Sequence, residues 1–316
     1  ATRYTPKEQM QFLAWILGIY ICLNFIFGIQ AGTGAWRGIT SHKNQLSGAM
    51  SIASTFFLTL SIYSSSRYRW IKLGLTGLAF LILLLSQGKG SLAIFVGLLP
   101  LLPLHKIVKQ EYRLRTILLI SALLIIAVMG VVTRVNLEFI VVDILGKNMG
   151  ASSRDQVWIY LIERGLEKPW LGYGYGGFWS DPEEGLGVAI EFPWIAGAGQ
   201  GGGNAHSAYV ETFLHLGWLG VTLVAISFLT VITRVVLLHS LTRQVEYFWM
   251  IQSLIIIACT SLYESYGGFL AYRHWFWVFY VSSAYSSAVH LNRIMRTGNK
   301  LINIQAEKSF YSKSAN

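Results

Sequence analysis

Long uninterrupted blocks of apolar residues constrain the fold of this chain more than any other feature. A helical block of about 20 apolar residues crosses roughly 30 Å of hydrocarbon. Blocks of this kind occupy residues 10–29, 46–64, 70–86, 91–104, 116–133, 208–233, 247–263 and 273–289. Only 13% of the 316 residues are charged, whereas an ordinary soluble domain has about 25%. Water is therefore not the main solvent of this fold.

The blocks predict an all-α fold, a polytopic transmembrane helical bundle of about eight spans. Backbone polar groups in lipid must be satisfied internally, and the blocks lack the alternating pattern of a β-barrel. The fourth block is short and is expected to be tilted or broken. Residues 1–316 are expected to form a single membrane domain, in which residues 134–207 form a large loop between spans five and six with short amphipathic helices.

The lysines and arginines separate by side of the membrane. Sixteen of the 25 fall on one side of the predicted spans, which the positive-inside rule makes cytoplasmic. Both termini are then cytoplasmic, the 134–207 loop lies outside, and no nucleic-acid partner is expected despite the net charge of +10. Cys22 and Cys259 lie inside spans, which favours packing over a disulfide. No metal-ligand spacing is found, so neither a metal nor another cofactor is expected.

Several cations nevertheless lie on the outer side, in short loops close to span ends: Arg37, Lys43, Lys89 and Arg273. Arg37, His42 and Lys43 directly precede the second span, for which Asn44 is the predicted N-cap. A helix start of this kind attracts phosphate. The alternative is an anchor for lipid headgroups, and Lys89, which lies between flexible glycines, could equally reach a lipid phosphate.

The long outer loop contains two further motifs. Arg154 begins an amphipathic surface helix, where its charge opposes the helix macrodipole unless an anion lies nearby, and Asp155 is the alternative partner. The segment Gly172–Gly177 formally contains G-x-G-x-x-G. No strand precedes it, so a dinucleotide site is excluded and a tight turn is expected.

His206 lies where the long loop meets the sixth span. With Asn204 as the predicted N-cap, His206 falls in the first helical turn, where the positive helix end disfavours the imidazolium. A neutral histidine can accept a proton from a hydroxyl. Glu211 and Glu264 also lie near outer span ends and are expected to support the site. The alternative is an interfacial histidine without a chemical role.

Together these segments resemble the O-antigen ligase and polysaccharide polymerase superfamily of bacterial envelope glycosyltransferases. The resemblance rests on residues 36–44, on residues 85–89, on Arg154 and Trp158 with the sequence of residues 169–174, and on residues 206–217. This chain has Ser207 where the family often has asparagine, and Lys89 where it often has arginine. Members usually have more N-terminal spans, so a chain truncated at its N-terminus is expected.

The resemblance implies transfer of a glycan from undecaprenyl diphosphate to a sugar hydroxyl, with inversion and without a metal, on the periplasmic side of the bacterial inner membrane. The implied roles are catalysis for His206 and Arg154, diphosphate binding for Arg37, Lys43, Lys89 and Arg273, and support for His42, Glu211 and Glu264. The expected partners are the lipid-linked glycan, a saccharide acceptor, the lipid bilayer and other polysaccharide-assembly membrane proteins. A polymerase is favoured. The alternatives are a ligase that attaches polysaccharide to lipid A core and a transporter of lipid-linked oligosaccharide.

Overall fold

A computed structural model describes residues 4–30, 34–64, 67–107, 153–193, 195, 203–264 and 275–314. Within these ranges the secondary structure is helical and contains no strand. The helices are α1 (Pro6–Gln30), α2 (Lys43–Tyr63), α3 (Arg69–Leu85), α4 (Lys89–Leu98), α5 (Leu104–Ile107), α6 (Ser153–Gly165), α7 (Gly177–Ser180), α8 (Pro182–Glu191), α9 (Ala208–Thr242), α10 (Val245–Ser261) and α11 (Trp275–Ser314). The predicted fifth span, residues 116–133, lies outside the described residues.

Four helical stretches of the described chain are long and apolar enough to cross a membrane: Pro6–Gly28, Lys43–Tyr63, Lys89–Ile107 and Ala208–Thr242. Helix α10 is a shorter apolar helix. The stretch Lys89–Ile107 is broken by a 3-10 turn at Leu99–Leu101, because proline lacks the N–H that continues a helix. The all-α membrane fold is confirmed, as is the break in the fourth block.

Helix α2 lies at the centre of the bundle and is buried along most of its length. Its serines, alanines and threonines let neighbouring helices approach closely. One polar contact crosses this core, where Thr59 Oγ1 donates to Gln252 Oε1 of α10 at 2.8 Å. Cys22 and Cys259 are free thiols, of which Cys22 is exposed and Cys259 half-buried, and the packing role predicted for them stays a prediction.

Segments that the predicted topology assigns to the same side of the membrane lie at the same end of the bundle. At one end, the His105 ring stacks on the His239 ring with centroids 5.2 Å apart. At the opposite end, Ser47 Oγ lies 3.0 Å from Ser91 Oγ. We call this second end, which carries residues 36–44, 86–91, 203–207 and 262–264, the outer end.

Helices α6, α7 and α8 build a second, smaller hydrophobic core beside the outer end. Val157 and Leu161 of α6 pack there with Phe178, Trp179 and Leu214. Because Leu214 belongs to α9, this core attaches residues 153–193 to the beginning of the α9 span.

Helix α9 is interrupted at Gly217, whose φ of 59° and ψ of −160° suit only glycine. Residues 169–174, which we call the clasp, lie across this break. The N–H groups of Trp218 and Leu219 donate to the Pro169 and Trp170 carbonyls at 2.7 and 3.2 Å.

On the other side of the break, the N–H groups of Tyr173 and Gly174 donate to the carbonyls of Leu214 and His215 at 2.8 and 3.0 Å. In an uninterrupted helix these carbonyls would pair with the N–H groups four residues later, at positions 218 and 219. The clasp therefore binds four of the backbone groups that lose their helical partners at the break. The tight turn expected at residues 172–177 thus has a structural role in the span.

The clasp predicts that Gly172→Ala destabilises the protein more than Gly176→Ala. Both glycines have a left-handed φ, 65° and 70°, so an alanine at either position costs about 1–2 kcal/mol of backbone strain. A Cβ atom at Gly172 would also lie 2.5 Å from the Leu214 carbonyl oxygen, whereas one at Gly176 meets nothing within 4 Å. The overpacking should add about 1–3 kcal/mol. Equal losses of apparent melting temperature in detergent would contradict the clasp.

The predicted orientation can be tested with cysteines at the two ends of the bundle. Glu183 on α8 and Ser240 at the far end of α9 are both exposed. In a chain whose Cys22 and Cys259 are replaced by serine, a membrane-impermeant thiol reagent should label Glu183→Cys in intact spheroplasts. Ser240→Cys should react only after the membrane is opened. The opposite pattern would invert the topology.

Candidate active site

Three of the predicted site residues line one cavity at the outer end. Arg37, His42 and Lys43 surround a volume of about 430 Å³ together with Gly34 and Ala35. Two cations beside an imidazole suit an anionic group such as a phosphate. A larger cavity of about 570 Å³ lies between α1, α10 and α11, and its lining contains no charged side chain. The smaller cavity is therefore the better candidate for binding a diphosphate.

A buried asparagine holds the loop that carries Arg37. Asn24 of α1 is fully buried, and its Oδ1 accepts a hydrogen bond from the Ile39 N–H at 3.0 Å. A Cβ atom at Gly38 would collide with the Asn24 side chain, so the loop approaches α1 closely. Sequence analysis missed Asn24, although a single asparagine in an apolar span is an unusual and often functional feature.

The N-cap predicted for α2 is wrong. The helix begins at Lys43, and the cap is His42, whose Nδ1 accepts the Asn44 N–H at 3.2 Å. Asn44 instead directs its side chain across the bundle, where its Nδ2 donates to Glu264 Oε1 at 2.7 Å. Glu264 is buried, with 4% of its surface exposed. The contact ties the first outer loop to the chain that follows α10.

The glycines around Lys89 permit close packing, which corrects their interpretation as a flexible stretch. A Cβ atom at Gly88 would collide with the Ser47 side chain of α2, and one at Gly90 would lie 2.9 Å from the Tyr263 ring. Lys89 is the first residue of α4. The two glycines on either side of Lys89 thus lie against Ser47 of α2 and against Tyr263, which follows α10.

The predicted cap of the His206 segment is also wrong. Helix α9 begins at Ala208 with Ser207 as its cap residue, so His206 precedes the helix and the first-turn argument for a neutral imidazole fails. Asn204 Oδ1 accepts the N–H of His206 at 3.0 Å. His206 itself has a left-handed φ of 50°, a conformation in which histidine is uncommon.

Glu211 lies one turn into α9 and is a centre of hydrogen bonding. Its Oε1 accepts the Trp179 indole N–H at 2.6 Å, and its Oε2 accepts the Ala205 N–H at 2.7 Å. His215 Nε2 lies 3.1 Å from Oε1, although this contact lacks hydrogen-bond geometry. The supporting role predicted for Glu211 therefore concerns the backbone of Ala205, the residue immediately before His206.

The roles predicted for Arg154 and Arg273 remain predictions. Arg154 lies in the first turn of α6, four residues before Trp158, but its side chain lies outside the described part of the structure. Arg273 lies outside the described residues altogether.

His206 has a strained backbone that no helix end explains. Gln87, His206 and Arg243 are the described non-glycine residues with a left-handed φ. Gln87 follows the cap of α3 and Arg243 ends α9, where this conformation is common. Strained residues cluster at functional sites, so the position of His206 supports the choice of its segment.

The first outer loop and the His206 segment are linked through α10. The Tyr209 hydroxyl donates to the Ala258 carbonyl of α10 at 3.1 Å, and six residues later Glu264 binds Asn44. Among the described residues, no group of three or more His, Cys, Asp or Glu side chains could hold a metal ion.

Fold and site together define a multi-pass membrane protein with cations and a strained histidine at one end of a helical bundle. A family model described as O-antigen ligase matches residues 47–225. The chain belongs to this family, which confirms the resemblance seen in its sequence, and it is a membrane enzyme of the O-antigen ligase and polymerase type. No curated protein matches the chain. The matched region contains Lys89, Arg154, His206 and Glu211.

Proposed function

We propose that this chain is an inverting, metal-independent glycosyltransferase of the bacterial inner membrane. It transfers a glycan from undecaprenyl diphosphate to an acceptor sugar hydroxyl on the periplasmic side, and both of its termini are cytoplasmic. The observation that carries the proposal is the cavity lined by Arg37, His42 and Lys43, at the same end of the bundle as His206.

The chemistry needs two kinds of group on opposite faces of the anomeric carbon. The acceptor oxygen forms a bond to that carbon, the bond from carbon to the phosphate oxygen breaks, and undecaprenyl diphosphate leaves with the bonding electrons. Arg37, Lys43 and Lys89, with Arg154 and Arg273, stabilise the charge on the leaving group. His206 accepts the proton of the acceptor hydroxyl. Attack opposite the leaving group inverts the anomeric configuration.

A polymerase and a ligase differ in the acceptor molecule to which they transfer the glycan. We favour a polymerase because residues 36–44 and 86–89 resemble that branch of the superfamily. The family description, O-antigen ligase, favours the second candidate, transfer of the finished polysaccharide to lipid A core.

Reconstitution with a lipid-diphosphate repeat unit distinguishes these functions. A polymerase lengthens the glycan when the lipid-linked repeat is the only substrate, whereas a ligase gives product only after lipid A core is added. A transporter of lipid-linked oligosaccharide moves the substrate across a vesicle membrane and makes no new glycosidic bond. Transport without bond formation would overturn the enzyme proposal.

The cation proposal predicts that Arg37→Ala and Arg154→Ala each lower turnover about 10²- to 10³-fold, the usual effect of removing a group that stabilises transition-state charge. Protein level and membrane insertion should be unchanged. Lys168→Ala provides the control, because this exposed outer cation packs on the Tyr173 ring at 4.1 Å, away from the cavity. Near-normal glycan synthesis by both arginine variants would remove them from the diphosphate site.

The base proposal predicts that His206→Ala lowers turnover about 10²- to 10⁴-fold. Binding of the lipid-diphosphate donor should change little, because the cations make the phosphate contacts. His206→Gln keeps some hydrogen bonding but cannot accept a proton at neutral pH, so it should behave like the alanine variant. Full turnover of the glutamine variant from pH 6 to pH 8 would reject His206 as the base.

A further inference from the structure

The peptide groups of Ala205, immediately before His206, are held from both sides. The Trp158 indole N–H donates to the Ala205 carbonyl at 2.8 Å, and the Ala205 N–H donates to Glu211 Oε2 at 2.7 Å. Trp158 comes from α6 and Glu211 from α9. Two separate helices therefore fix one residue of the loop that precedes α9.

The two partners are themselves held in place. The Glu211 side chain is 13% exposed, and its other oxygen accepts the Trp179 indole N–H at 2.6 Å. Helix α6 is fixed against α9, since a Cβ atom at Gly165 would lie 2.5 Å from the Phe213 ring. Ala205 is 1% exposed, so its peptide groups depend on these partners for their hydrogen bonds.

His206 needs such support because of its backbone conformation. A non-glycine residue with a left-handed φ costs about 1–3 kcal/mol and persists only where the surroundings hold it. Fixing the preceding peptide limits the directions in which the His206 ring can point. A general base must lie within hydrogen-bond reach of the proton that it removes.

We propose that Trp158 and Glu211 are positioning residues that act on the acceptor hydroxyl through His206. This inference rests on the proposed role of His206 as the base. Neither residue is expected to contact the donor diphosphate, whose binding is assigned to the cations. Loss of either residue should therefore lower kcat and leave the KM for the donor nearly unchanged.

Trp158→Phe is the sharpest variant, because it removes the indole N–H and keeps an aromatic ring. A small misplacement of a catalytic group costs up to about 100-fold, so kcat should fall about 10- to 100-fold with a donor KM within about twofold of wild type. Trp170→Phe is the matched control, since that side chain is 73% exposed. Glu211→Leu should resemble Trp158→Phe. Glu211→Gln keeps an oxygen that can accept the Ala205 N–H and should restore part of the rate.

A double-variant measurement with the purified full chain and a lipid-diphosphate glycan decides the inference. If Trp158 acts through His206, Trp158→Phe combined with His206→Ala should be no slower than His206→Ala alone. Multiplied losses, or a raised donor KM, would show that Trp158 supports the fold or the donor site instead. If Trp158→Phe keeps the wild-type kcat while His206→Ala has a low kcat, the positioning role is wrong and the proposed function is unaffected. Wild-type kcat in His206→Ala would reject the proposed base and, with it, this inference.

Discussion

The need to satisfy backbone hydrogen bonds at the break in α9 organises the outer end of this protein. At the edge of a membrane an unpaired N–H or C=O group costs several kcal/mol, and the break at Gly217 removes the helical partners of the Trp218 and Leu219 N–H groups and of the Leu214 and His215 carbonyls. The clasp at residues 169–174 binds these four groups. Because Gly172 and Gly217 each lie against the opposite backbone, the two segments can approach only if both residues lack a side chain.

The clasp also determines where the rest of the outer segment lies. Three residues separate the end of α6 from the clasp, so the attachment of the clasp to α9 brings α6 alongside the first turns of that helix. Gly165 then meets Phe213, Leu161 joins the core that contains Leu214, and Trp158 reaches Ala205. The backbone hydrogen bonds at the break in α9 therefore also determine the position of Ala205, the loop residue immediately before the candidate base.

Sequence patterns predicted the parts of this structure that depend on local composition. Apolar blocks predicted the four described stretches that are long and apolar enough to cross a membrane, and the shortness of the fourth block predicted the break after α4. The N-caps at Asn44 and Asn204 were wrong because several polar residues precede each helix, and the backbone path decides which side chain bonds back. Contacts between distant segments, such as that of Asn24 with Ile39 or of Asn44 with Glu264, could not be predicted, since no local pattern specifies a partner so far along the chain.

Catalysis by charge stabilisation and proton transfer requires groups that are already in place before the reaction. Here the cavity residues and the histidine belong to segments far apart in sequence, so helix packing must supply their relative placement. Asn44 binds Glu264 beyond one end of α10, and Tyr209 binds Ala258 within the same helix. Helix α10 itself packs on α2 through the buried pair of Thr59 and Gln252. One helix therefore joins both halves of the candidate site, and the glycines that bring Lys89 close to Ser47 and Tyr263 attach the third outer segment to the same framework.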